Sequence, residues 1–351
     1  MDWFTPGPRN LITDVGGLRV GSAADFNLKS GVTALMCDVE NRTSVHVMGG
    51  APGTRETDLL SPENTVESVD ALVLSGGSAF GLDAAAGVQA ALRKQDKGFV
   101  VGPHRIPIVP SAILFDLING GQKDWDDHPP YTALGAQAAA AAATEFALGS
   151  HGAGTGAITG GPATNGVHGL KGGLGSASTR LQNGITVGAL VAVNALGSPV
   201  TADGAHFRAA EFECEGEFGG MGLGQRSASS NEPLPIKFRS QEASEPPQPG
   251  TNTTIAIIAT DAVLTKAQAK RLAVAAHDGF ARALWPAHTP LDGDLVFGLA
   301  TGLSSITPDL DQQIDLSAAA AATMSRAIAR GVFEATAQDN DIVPTWQSLH
   351  G

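Results

Sequence analysis

Apolar and polar positions alternate along the chain in short blocks. In residues 10–48, brief apolar runs such as Leu11-Ile12 and residues 32–37 are separated by Gly and Asp turns, which predicts strands from early in the chain. Residues 69–74 predict a strand that runs into the glycine-rich turn Ser75-Gly76-Gly77-Ser78, and residues 79–92 have helical composition. Residues 106–116 are apolar but contain Pro107 and Pro110, which suits an edge strand or a pocket wall better than a central strand. The Ala-dominated residues 133–148 predict a helix. Residues 185–193 form a long apolar run ending at Asn194, and in residues 251–261 another, nearly continuous run follows the hydroxyl pair Thr253-Thr254, bounded by Gly250 and Asp261. Unbroken runs of this kind suit strands covered on both faces. Before the second run, Glu211, Glu213, Glu215 and Glu217 would share one face of any strand, which reads as a solvated face. Residues 226–250 are rich in Ser, Glu and Pro and predict a mobile tail. After it, Leu272, Ala276, Phe280 and Leu284, interleaved with Lys266, Lys270 and Arg271, predict an amphipathic helix. Asp292-Gly293-Asp294 then opens a further buried strand, and residues 316–336 predict an Ala-rich helix able to pack closely on a sheet. Strands mixed with Ala-rich helices place the chain in the α/β class.

Composition narrows the function classes. At 351 residues there is enough chain for a sizeable core, and 44 Gly without a period imply many tight turns. The balance of 22 Lys and Arg against 35 Asp and Glu gives −13, and no basic run stands out, so nucleic acid is not the expected partner. Cys37 and Cys214 are isolated from each other and from any metal-ligand spacing, which fits reduced, inert thiols and a cytoplasmic protein. The first residues carry no signal-peptide pattern and no 18-residue apolar stretch follows, so the expectation is a soluble, unexported protein with no membrane partner.

Candidate chemistry concentrates at Thr251-Asn252-Thr253-Thr254, where a Pro-rich tail meets a core strand. This is the layout of a chain that cuts itself and exposes an N-terminal Thr, whose free α-amine can serve as the base for its own hydroxyl. The competing reading is an ordinary strand start with threonines chosen for β-propensity. Asn194, at the end of its strand, either donates to an oxyanion or forms a turn. The backbone N–H groups of Gly76, Gly77 and Ser78 either face an oxyanion or belong to a turn that permits close helix–sheet packing. Residues 152–157 match G-x-G-x-x-A, but a helical run precedes them and no acid follows about twenty residues on, which weakens a dinucleotide-binding alternative.

Five blocks occur together and in order: residues 50–58 (GAPGTRETD), 75–83 (SGGSAFGLD), 171–178 (KGGLGSAS), Asn252-Thr253-Thr254 and Asp292-Gly293-Asp294. In this combination the chain resembles the DmpA-like family of self-processing N-terminal-nucleophile hydrolases. That family includes L-aminopeptidase/D-amidase-esterases, β-peptidyl aminopeptidases and endo-type 6-aminohexanoate (nylon) oligomer hydrolases. The resemblance implies a four-layer αββα sandwich and one catalytic domain, 1–351, cut between Asn252 and Thr253 into 1–252 and 253–351. It implies Thr253 as nucleophile through an acyl-enzyme, Asn194 as oxyanion donor, and Asp292 and Asp294 as the groups that orient the Thr amine and hydroxyl. It further implies no cofactor and no metal, a small peptide, amide or oligoamide substrate, and a homo-oligomer, expected as a tetramer. Acyl transfer to an amine by a related self-cleaving fold is the alternative. Two positions depart from the family: Phe115 stands where some relatives have a tyrosine, and the lysine many carry near Gly161 is missing, with Lys171 the nearest lysine and its taking over that role an open question.

Overall fold

A computed structural model of the chain describes residues 4–164, 166–224, 234–239 and 252–351. In chain order its first strands are β1 (Phe4–Thr5), β2 (Leu18–Asp25), β3 (Ser30–Cys37), β4 (Arg42–Val47), β5 (Thr54–Arg55), β6 (Ala71–Ser75), β7 (Phe99–Val101) and β8 (His104–Ile106). They are followed by β9 (Ser111–Ile113), β10 (Ile158–Thr164), β11 (Val167–Lys171), β12 (Gly173–Leu181), β13 (Thr186–Asn194), β14 (Thr253–Thr260) and β15 (Leu295–Ala300). The α-helices are α1 (Ala84–Lys94), α2 (Tyr131–Ala140), α3 (Lys266–Ala283), α4 (Leu310–Phe333) and α5 (Trp346–His350).

Two sheets stack face to face. One runs β1-β12-β13-β14-β15-β4 and the other β2-β3-β6-β9-β5, while β7–β8 and β10–β11 form separate hairpins. Alternation along β14 explains the stacking. Ile255, Ile257 and Ala259 point into the layer between the sheets, where they meet Val20, Leu35 and Leu72 of the second sheet. Ala256 and Ile258 point the other way, into a layer with Leu272 and Phe280 of α3 and Met324 and Ile328 of α4. Both faces of the strand are therefore dry, which is why its sequence shows no polar alternation. On the outside of the second sheet, Val32 and Val73 pack under Val88 of α1 and Leu134 of α2. The result is the expected αββα order. Helix α4 approaches β12 so closely that a Cβ on Gly175 would lie 1.9 Å from the Ala327 carbonyl, so the Gly and Ala content of these elements sets the layer spacing. Capping boxes at Thr265/Gln268 and Asp309/Gln312 fix the starts of α3 and α4.

Three sequence expectations give way to tertiary contacts. The helix expected over 133–148 stops at Ala140, because Ala143 pairs through both backbone groups with Val20 of β2 at 2.9 and 3.1 Å. Strand β9 lies inside its sheet, between β6 and β5, because Pro107 and Pro110 fall before it and leave its ladder intact. The stretch with four glutamates is no strand: a 3-10 turn at Arg208–Phe212 leads into it, and Glu217 turns inward to the fully buried Arg326 at 2.5 and 3.0 Å. The expected mobile tail, 226–250, falls outside the described residues except for 234–239, where Ile236 and Lys237 are buried. Cys37 is buried beside the inter-sheet layer, and burial pushes its thiol up, as suits an inert cysteine. Among the described residues no helix is long and apolar enough to cross a membrane.

Candidate active site

Strand β14 lies between β13, antiparallel, and β15, parallel. The antiparallel register sets Thr253 opposite Asn194, so their side chains share a face. The β14–α3–β15 crossover returns the chain so that Asn252 bridges to Asp292, bringing Asp292-Gly293-Asp294 beside the head of β14. Thr253 is 2% exposed. Its hydroxyl donates to the Asn252 carbonyl oxygen, and the Gly293 N–H donates to the same oxygen at 3.0 Å. A hydroxyl and a backbone N–H thus converge on one peptide carbonyl.

The two acids hold this corner from different sides. Asp292 Oδ1 accepts from the Leu196 N–H at 3.1 Å, and its Oδ2 accepts from the Thr289 N–H and hydroxyl at 3.0 and 2.6 Å. Burial, reinforced by the charge of Asp294, pushes the Asp292 carboxyl up. Asp294 Oδ1 accepts from the Thr254 N–H at 2.7 Å. Among the described contacts neither carboxylate bonds the Thr253 hydroxyl. The block 50–58 and the glycine before it explain part of the arrangement, since Ala51 N–H and Gly49 N–H donate to the Asp292 and Asp294 carbonyls at 2.8 and 3.1 Å. Gly293 has no room for a side chain: a Cβ there would lie 2.6 Å from the Ala51 carbonyl and 2.8 Å from Thr253 Oγ1.

Asn194 is held on three sides. Its Oδ1 accepts from the Ile158 N–H at 2.9 Å and from Lys237 Nζ at 3.0 Å, and its Nδ2 donates to the Phe115 carbonyl at 2.9 Å. Phe115 thus reaches the site through its backbone, and the missing tyrosine hydroxyl is not part of this contact. Lys237 was not among the residues singled out from sequence, because it lies in a stretch whose composition reads as tail. Here Lys237 N–H donates to the Leu196 carbonyl at 2.8 Å and Phe238 N–H to the His168 carbonyl at 2.9 Å, docking the segment against the end of β13. Burial pulls the Lys237 ammonium down to about 7, against the attraction of Asp292 and Asp116. A hollow of about 10 Å³, lined by Phe115, Asp116, Ile118, Asn194, Lys237 and Phe238, sits beside this cluster. It is on the scale of a single water molecule.

The remaining candidates are engaged elsewhere. Gly76, Gly77 and Ser78 direct their N–H groups to the Gly31 carbonyl, Asp116 Oδ1 and the Leu114 carbonyl at 2.9, 2.8 and 2.9 Å, so none of the three faces an oxyanion. Of the two readings of that turn, these contacts fit the packing one: the turn positions α1 and Asp116. Lys171 is also reassigned. Its Nζ binds both oxygens of Asp341 at 3.0 and 2.9 Å, an aspartate it shares with the buried Lys29. The lysine at Asn194 is Lys237. Residues 152–154 form a 3-10 turn whose neighbouring N–H groups are held by Thr33 Oγ1 and the local carbonyls, leaving no phosphate cradle.

The depressed Lys237 carries a stability consequence. Between about 7 and the ordinary lysine value of 10.5, the unfolded chain binds a proton that the folded chain does not, so this group makes stability rise with pH across that window. A Lys237→Met protein is expected to lose that rise, read as a flatter pH dependence of the denaturation midpoint than in the unsubstituted protein.

Comparison with known proteins agrees with the geometry. A model of peptidase family S58 matches residues 10–341. An uncharacterized aminopeptidase of Mycobacterium tuberculosis (strain ATCC 25618 / H37Rv) is 41% identical over 359 residues, covering 97% of this chain and 98% of that one. A 6-aminohexanoate-oligomer endohydrolase of Kocuria sp. (strain KY2) is 29% identical over 300 residues, covering 84% and 76%. Among solved structures, a Burkholderia sp. beta-aminopeptidase matches with a TM-score of 0.69 at 23% identity, covering 97% of this chain and 91% of its own. The L-aminopeptidase D-Ala-esterase/amidase of Ochrobactrum anthropi, described as a variant of the Ntn hydrolase fold, matches at 0.63 and 21% identity, covering 96% and 90%. With the family model spanning nearly the whole chain, a relative at 41% identity and the shared sandwich fold, the chain belongs to peptidase family S58 and is an amide-bond hydrolase of the Ntn-hydrolase fold.

Proposed function

We propose that the chain matures by cutting itself between Asn252 and Thr253, and that the new N-terminal Thr253 then hydrolyses small peptides, amides or oligoamides through an acyl-enzyme. The observation that carries this is the convergence of the Thr253 hydroxyl and the Gly293 N–H on the Asn252 carbonyl. In the precursor, Thr253 Oγ attacks the Asn252 carbonyl carbon while the Gly293 N–H steadies the oxygen as charge develops on it. The C–N bond breaks, the hydroxyl proton passes to the departing Thr253 nitrogen, and an ester joins Asn252 to Thr253 Oγ. Water hydrolyses the ester, leaving a carboxylate on Asn252 and returning the hydroxyl to Thr253, beside the amine that the shift has freed.

In the mature enzyme that amine takes the hydroxyl proton as Oγ attacks the substrate carbonyl, and it returns the proton to the leaving amine. Water then releases the acyl group. The amine must be neutral to act as base: the charges of Asp292 and Asp294 favour its protonated form and burial opposes them. Asn194 is assigned to the substrate oxyanion, whereas Gly293 serves the cut. An Asn194→Ala protein should therefore still mature, yet turn over about two to three orders of magnitude more slowly.

The substrate class follows from the relatives named aminopeptidase, beta-aminopeptidase and 6-aminohexanoate-oligomer endohydrolase. A panel of aminoacyl p-nitroanilides beside a 6-aminohexanoate oligomer tests it. Hydrolysis of at least one member by the wild type, with the expected loss in Asn194→Ala, supports the reading. No hydrolysis of any member, or a mature Asn194→Ala enzyme with undiminished turnover, counts against it.

A further inference from the structure

Behind Asp294 lies a histidine that the chemistry above does not use. His288 sits in the loop between α3 and β15, and it grips one carboxylate oxygen twice: its N–H and its ring Nδ1 reach Asp294 Oδ2 at 3.1 and 2.9 Å. A carboxylate oxygen accepts, so Nδ1 carries the proton. The other ring nitrogen, Nε2, is buried without a hydrogen-bond partner, so the ring's hydrogen bonding goes to Asp294 alone. The ring is wedged between two residues of α3, edge-on to His277 at 4.8 Å between centroids and tilted on Phe280 at 5.2 Å. His277 is fixed in turn, with Nε2 donating to the His46 carbonyl at 3.1 Å, and burial holds its ring down to about 4. The three imidazoles meet edge to face in a row, and no group of side chains among the described residues is arranged to hold a metal ion.

The backbone also points to a purpose. His288 has φ 55°, left-handed geometry that a non-Gly residue adopts at a cost. A glycine would adopt it freely, so the side chain is retained at a position whose backbone disfavours one. The opposite oxygen of Asp294 accepts the Thr254 N–H at 2.7 Å, one residue from the nucleophile. Fixing Oδ2 therefore fixes the direction in which Oδ1 faces the head of β14.

We propose that His288 is a positioning residue for the reaction: its Nδ1–H holds Asp294 in the rotamer that serves the Thr253 amine and hydroxyl, and the α3 aromatic stack keeps the imidazole in place. This rests on Thr253 being the nucleophile. A ring-less residue that keeps the backbone contact separates positioning from folding. His288→Gly retains the φ and the N–H to Asp294 but loses the ring donor. His288→Asn tolerates the φ and restores a side-chain N–H near the place of Nδ1.

Steady-state kinetics on the two mature variants, with intact-mass analysis of each and of the wild type, test the proposal. The expectation is a His288→Gly kcat lower by about ten- to a hundredfold with KM within about threefold, the scale of a misplaced catalytic group. His288→Asn should recover most of that loss. A His288→Gly enzyme with wild-type kcat, or a His288→Asn enzyme as impaired as His288→Gly, overturns the positioning role while a wild-type cut before Thr253 leaves the nucleophile standing. A His288→Gly chain that does not mature, beside a His288→Asn chain that does, supports the same role in the cut. If neither variant matures, the ring donor is not what the site requires and the proposal fails. A wild type that is not cut at all removes the nucleophile reading and this proposal with it.

Discussion

A Thr253→Ala chain is expected to stay one uncut polypeptide with no measurable amide hydrolysis. Alanine supplies no hydroxyl to attack the Asn252 carbonyl, and without cleavage the α-amine at 253 stays locked in a peptide bond, so base and nucleophile are lost together. Folding should survive. Position 253 is the first residue of β14, its backbone pairing with Asn194 does not depend on the side chain, and Ala is smaller than Thr. Thr253→Ser keeps both groups and should cut, more slowly because a serine hydroxyl lacks the γ-methyl that restricts its rotamers. Thr254 serves as the internal control. Its side chain points to the other face of the strand, and its N–H, not its hydroxyl, is what Asp294 holds. A Thr254→Val chain should mature. Gel mobility and intact mass read all three cleavage outcomes.

The second large effect is expected from one methyl group. Gly293→Ala keeps the N–H that steadies the Asn252 carbonyl, but its Cβ would start 2.8 Å from Thr253 Oγ1 and 2.6 Å from the Ala51 carbonyl. Neither neighbour yields easily: Thr253 is the strand head, and the Ala51 backbone is tied to Asp292 by its own N–H at 2.8 Å. The loop or the hydroxyl must give way by several tenths of an ångström to restore ordinary contact, and displacement of a reacting group by about 1 Å can cost about a hundredfold. The half-time of precursor cleavage should lengthen by about ten- to a hundredfold. Cleavage at the wild-type rate would show that the 293 backbone does not sit against the nucleophile.

How much of this was legible in the residues depends on how local the cause is. Strands β13 and β14 could be read because both faces are dry and their apolar runs are unbroken. The approach of Asp292-Gly293-Asp294 to Thr253 could be read because a strand, a helix and an adjacent returning strand leave few other arrangements. Gly293 has no side chain to announce a role, and what a glycine between two acids does signal is close backbone approach. Lys237 was hidden for a different reason. Its neighbourhood is Ser-, Glu- and Pro-rich, and what buries it is pairing with Leu196 and His168, which composition does not encode. The pairing of Lys171 with Asp341 likewise joins residues 170 positions apart. The turn at Gly76 has the look of an anion site, but its N–H groups were already taken by Gly31, Leu114 and Asp116 from other elements.

The central claim is that the bond before Thr253 is cut and that the residue after it does the chemistry. The most direct measurement is N-terminal sequencing of the smaller fragment of the purified wild-type protein, combined with intact masses of both fragments. The expected result is two chains, residues 1–252 and 253–351, with the smaller one beginning Thr253-Thr254-Ile255. A fragment that begins at Thr254, or a single uncut chain that hydrolyses amides, would contradict it.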